Sequence, residues 1–166
     1  MDTPPLIKIK SGDDEFFELK PKFLRKIGML KEIMRDLGYK MDGPVPPYGV
    51  PLSSLMGRTL KVIVDWLYLH EDEEPTDEHY RLAHKEDHFV SEADIELFDK
   101  CYPRDRLADV INAAFFLEMP DMIVCLSRYT AYNLRNKGRD DAAAWLELPQ
   151  SNSANAERGG SSSAIR

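Results

Sequence analysis

All four histidines of the chain, His70, His79, His84 and His88, fall within nineteen consecutive residues. His84 and His88 are four apart, and on a helix that spacing puts both rings on one face, where they could hold a divalent metal with Glu86 or Asp87. No second ligand pair accompanies them in a strongly polar stretch, so no metal site and no cofactor site are assigned. The acidic runs at 71–74 and 86–87 meet the same objection. A carboxyl group does acid–base work only where a pocket desolvates it and moves its pKa, and acids strung along a polar segment stay in water. Cys101 and Cys125 form no CxxC pair and have no histidine beside them in sequence. They read as reduced thiols, Cys125 as a buried one. The phosphate-loop pattern G-x-x-x-x-G-K-S/T, the dinucleotide pattern G-x-G-x-x-G and the nucleophile elbow G-x-S-x-G are all missing. No catalytic residue is assigned, and the chain is expected not to be an enzyme.

What remains is a residue on the wrong side of a helix. In 106–120, RLADVINAAFFLEMP, the residues Leu107, Val110, Ile111, Ala114 and Leu117 recur at helical spacing and make one apolar stripe. Phe115 sits on its shoulder. Phe116 lies roughly 160° from its centre, on the polar side with Asp109 and Asn112. In the next helix Ile123, Ser127, Thr130 and Leu134 form one stripe, while Met122, Leu126 and Tyr129 fall to a flank that can meet the domain's own core. Apolar surface beyond what one small domain covers points to a partner.

These helices need a frame. LIKIK (6–10) alternates, SGDD turns, and EFFEL (15–19) returns with Phe17 and Leu19 inward, which predicts an N-terminal hairpin. After Pro21 the period becomes helical. Phe23, Ile27, Leu30, Met34 and Leu37 predict one helix with Gly38 at its C-cap. GPVPPYGVP (43–51) allows at most a short edge strand, because proline cannot donate to a ladder. Residues 53–70 predict a helix with serine N-caps, apolar on both sides and hence buried on both sides. Residues 71–88 hold eight acidic and two basic side chains and predict a solvated, mobile loop, dispensable for folding. Helices resume from Ser91, break at CYPRD, and continue through 106–119, from Asp121 to about Asn136 and over 140–148. The Ser/Gly/Asn-rich residues 149–166 predict a disordered tail. A small β element followed by helices is α+β rather than a βαβ array.

The totals agree with one such domain. Hydrophobic residues make up 43% of 166 and charged residues 31%, a globular composition. A net charge of −7 argues against a nucleic-acid partner, since phosphate binding wants a basic face. No apolar run approaches the roughly 18 residues of a membrane span, and the N-terminus has no signal-peptide core. No membrane partner is expected, and the expected location is cytoplasmic and nuclear.

In order along the chain, LIKIKSGDDEFFEL, MLKEIMRDLG, PVPPYGV, LKVIVDWLYLHEDEEP and LADVINAAFFLEMPDMIVCLSRYTAYNLRNKG resemble the motifs of one family over residues 6 to about 140. It is the Skp-type adaptor family of SCF (Skp–cullin–F-box) ubiquitin ligases. The resemblance implies a BTB/POZ-like domain over 6–120, carrying the acidic insertion 71–88, then C-terminal dimerisation or F-box-binding helices over 121–148. It implies a non-catalytic adaptor whose partners are a cullin and F-box proteins. Asn112, Phe115 and Phe116 would face the cullin, the two phenylalanines standing at the family's Asn-Tyr pair. Ile123, Ser127, Thr130 and Leu134 would face the F-box, with Trp145 and Leu148 closing one side. RDDAAAWLEL stands at the family's Thr-Pro-Glu-Glu helix start, and a polar tail where the family has a final acidic helix. These departures keep a second expectation open, a BTB-like scaffold that self-associates as a homo-oligomer without a ligase role.

Overall fold

The alternation in LIKIK produces β1 (Ile7–Ser11), with Ile7 and Ile9 buried and Lys8 exposed. β1 pairs antiparallel with β2 (Phe16–Leu19), placing Ile9 opposite Phe17, and parallel with β3 (Val50–Leu52), placing Ile9 opposite Val50. The sheet order is β2-β1-β3. β3 is therefore an edge strand, where Pro51 is tolerated. The structure, a computed structural model, describes residues 4–40 and 43–148; the expectation for 149–166 lies outside them.

The chain between β2 and β3 departs from the single helix expected. A 3-10 turn covers Pro21–Lys26, the backbone leaves the helical region at Ile27 (φ −124°, ψ 86°), and α1 (Gly28–Asp36) follows. Phe23 and Leu24 before the break and Leu30 and Met34 after it all reach the same core. Leu37, placed on the apolar face by spacing, is exposed beyond the last turn. Gly38 takes φ +86°, the left-handed end expected of a C-cap glycine. Gly28 is needed for a different reason: a Cβ there would lie 3.0 Å from the Glu118 Cβ. That closeness lets the carbonyls of Glu118 and Leu117 accept the first two amides of α1, at 2.9 and 3.1 Å.

α2 (Gly57–Leu69) is the hub, with Leu60, Ile63, Val64, Trp66 and Leu67 buried. It packs on β1 and β2 and against α4 (Glu92–Asp99) and α5 (Arg104–Phe116). The expectation of burial on two sides holds for Leu55 and Trp66, but Val62 is half-buried and Leu69 is exposed. Neither Ser53 nor Ser54 caps this helix; its N-cap position is Met56. α6 (Pro120–Leu134) starts on its proline and adds Met122, Leu126 and Tyr129 to the same core, as the flank assignment predicts. It ends at Leu134, and Gly138 is the N-cap of α7 (Arg139–Leu146). α7 lies against α6.

Candidate partner-binding surfaces

Leu107, Val110, Ala114 and Leu117 are buried and Ile111 is half-buried, so α5 turns the predicted stripe inward. Phe116 is 46% exposed and Asn112 is exposed with it. Phe115 is more exposed still, at 61%, because Ala113 also packs inward and pulls the buried face away from the shoulder that Phe115 occupies. Two adjacent aromatics thus stand outside the core at the end of α5. Phe116 also borders a concavity of about 300 Å³ shared with Met56, Thr59, Asp109 and Asn112. Met56, itself exposed, belongs to this surface. Sequence reading missed it, since it precedes α2 and falls on no stripe.

The stripe on α6 is graded. Ile123, Thr130 and Leu134 are half-buried and Ser127 is exposed. The Thr130 hydroxyl donates to the Leu126 carbonyl at 2.9 Å, so it is satisfied within its own helix. Trp145 is half-buried against this fold, its ring 6.0 Å from that of Tyr129, while Leu148 is exposed.

Residues 71–88 differ from the solvated loop expected. They contain a helix, α3 (Glu78–Ala83), whose first turn is capped by Asp77 accepting from the Tyr80 amide at 2.8 Å. Their acids meet the basic side chains of the 3-10 turn and its flank. Glu71 lies 2.5 Å from Lys20 and 2.9 Å from Lys22, and Glu74 takes both Arg25 nitrogens, at 3.0 and 3.1 Å. These partners hold both carboxyls below the ordinary glutamate range. On α6, Asp121 accepts the Thr76 amide at 3.0 Å and also the Thr76 hydroxyl, and Arg128 donates to the His84 carbonyl at 3.3 Å. The segment therefore runs beside the α6 stripe and encloses with it a cavity of about 560 Å³, lined by Ile123, Ser127 and Arg128 on one side and Tyr80 and His84 on the other. Because α3 ends at Ala83, His84 and His88 are not on one helical face, and the metal geometry considered for them does not form.

Cys101, not Cys125, is the fully buried thiol; Cys125 is half-buried. Burial pushes the Cys101 thiol up to about 11 and the Cys125 thiol up to about 12, which keeps both protonated near neutral pH.

With this geometry in place, residues 5–72 match the Skp1 family tetramerisation domain, a POZ domain. The matched segment runs from ahead of β1 to just past α2, so it contains the whole sheet, the 3-10 turn, α1 and the hub helix. This segment is a Skp1-type POZ domain, and the fold is α+β and BTB-like. Residues 73–148, with α3 to α7, lie outside the match. Among the described residues, no helix is long and apolar enough to cross a membrane.

Proposed function

We propose that the protein is a non-catalytic adaptor of the SCF type, which joins a cullin to F-box substrate receptors for ubiquitin-dependent degradation. The observation that carries this reading is the exposed Asn112–Phe115–Phe116 face, presented by a helix packed directly on the hub of a Skp1-type POZ domain. Aromatic side chains are favoured interface anchors, because they bury large area for little entropy cost. On this reading α5 meets the cullin. The α6 stripe of Ile123, Ser127, Thr130 and Leu134 meets the F-box, with Trp145 and Leu148 at its border. Such an adaptor acts in the cytoplasm and nucleus.

Binding of the full chain to a cullin N-terminal domain and to an F-box peptide, measured separately by surface plasmon resonance, tests the two faces. Saturable binding of both supports the adaptor. A second reading, self-association as a scaffold, is favoured by the apolar character of the Phe115–Phe116 pair, where the family has a polar Asn. A stable homo-oligomer by light scattering with no cullin binding would establish that reading and overturn the first.

A further inference from the structure

Three side chains from three helices converge at one buried point. His70 closes α2, Asp94 lies in the first turn of α4, and Cys125 belongs to α6. A ring nitrogen of His70, a carboxylate oxygen of Asp94 and the Cys125 sulfur all lie within 4.8 Å of one another. His70 and Asp94 are only 8% and 4% exposed. Imidazole, carboxylate and thiol are together the donor set of a borderline-soft divalent ion, as tetrahedral zinc sites use them.

Two neighbours are arranged to support such an ion. Asp94 Oδ1 lies 2.7 Å from His70 Nε2, while Glu73 Oε2 lies 2.7 Å from Nδ1 on the other side of the ring. With Glu73 accepting the Nδ1 proton, the Nε2 lone pair is turned toward Asp94 and Cys125. Metal-ligating histidines are oriented by a carboxylate in this way. The second neighbour is Trp66. Its indole N–H is buried and has no hydrogen-bond partner among the described residues. The group whose charged form it favours is the Cys125 sulfur. A buried donor without a partner costs stability, and a thiolate accepts a hydrogen bond far better than a thiol does.

We propose that His70 Nε2, the Asp94 carboxylate and the Cys125 thiolate form a site for one divalent ion of the Zn²⁺ class, with Glu73 orienting the imidazole and Trp66 donating to the sulfur. Binding releases two protons to solvent, one from the thiol and one from between His70 Nε2 and Asp94. Cys125, Trp66 and Glu73 also line the cavity between α6 and 71–88, which supplies an entry path and room for a water as fourth ligand. The ion ties α6, which lies outside the Skp1-type match, to the C-terminal end of the hub helix within it. Nothing in this site depends on which partners the protein binds.

The test uses the full chain and the metal alone. Co²⁺ added to the reduced protein is expected to give a thiolate-to-cobalt charge-transfer band, which Zn²⁺ displaces at one equivalent. The band should persist in Cys101→Ser and vanish in Cys125→Ser. Glu73→Gln should weaken Zn²⁺ binding about 10–100-fold without removing it. Zn²⁺ should also raise the thermal midpoint of the wild type but not of Cys125→Ser, a half-buried site where the change leaves the fold intact. Absence of the band, or metal binding that survives Cys125→Ser on the exposed His79, His84 and His88, overturns the proposal.

Discussion

The Asp13 carboxylate, in the turn between β1 and β2, accepts the backbone N–H of Gly57 at 2.8 Å, and Gly57 opens α2 44 residues further along the chain. The hub helix is thus capped from the hairpin and not by the serines that precede it. The Ser11 hydroxyl, at 2.5 Å, and then the Gly57 amide hold the Asp13 carboxyl below its ordinary value of 3.8. A carboxyl whose pKa falls on folding adds stability above its unfolded pKa and loses it as pH drops through the folded value. Asp13→Asn should therefore melt below the wild type at pH 7, with the gap closing as pH falls below 3.8. A gap independent of pH in calorimetry would show that the charge is not what caps α2.

The Arg104 guanidinium lies 4.0 Å from the centre of the Trp145 ring, and its Nε donates to the Trp145 carbonyl at 2.8 Å. These contacts pin α7 to the start of α5. Arg104→Ala is expected to cost about 1–2 kcal/mol, the range of a partly desolvated cation–π pair. The loss should appear as faster amide exchange in 139–146 than in α2.

Phe116 and Phe98 should respond oppositely to truncation. Phe98 is fully buried, edge-on to Tyr129 at 5.3 Å, and Phe98→Ala should cost about 3–5 kcal/mol in urea unfolding. Phe116→Ala should cost little stability and, if the α5 face holds a cullin, about 1–3 kcal/mol of binding. A strongly destabilised Phe116→Ala would return this residue to the core.

Thr130→Arg is expected to weaken binding of an F-box partner and leave the free domain folded. The side chain is half-buried and its hydroxyl is bonded within its own helix, so nothing in the core waits on it. Circular dichroism of the variant shows whether the fold survives. Its unfolding would mean that the stripe packs internally.

Asp121 is the fastener of the acidic segment on α6. Asp121→Ala removes the acceptor of the Thr76 amide and hydroxyl. Tryptic cleavage at Arg81 and Lys85 should accelerate while the midpoint of global unfolding barely moves, since 71–88 contributes no large apolar side chain to the core. Unchanged cleavage would mean that the ion pairs of Glu71 and Glu74 are sufficient to hold it.

Periodicity alone determined most of the frame. The alternation around Ile7 and Ile9, the inward stripe of α5 and the Met122–Leu126–Tyr129 flank follow from which residues must leave water, a property each segment carries by itself. The outward position of Phe116 follows from the same count. What tertiary structure decided involves groups far apart in sequence. The break at Ile27, between the 3-10 turn and α1, leaves no mark in a spacing that reads as one helical face. Asp13 can replace a serine cap only because the hairpin turn reaches α2. The acidic segment is ordered by Lys20, Arg25 and Asp121, and no composition rule for 71–88 includes those residues. His70, Asp94 and Cys125 meet because three helices cross there, whereas His84 and His88, spaced for a shared face, are separated by the end of α3. Burial is written locally in a sequence, but a hydrogen bond or a ligand cluster needs two or more groups at a set distance, and only the packing of the whole chain sets that distance.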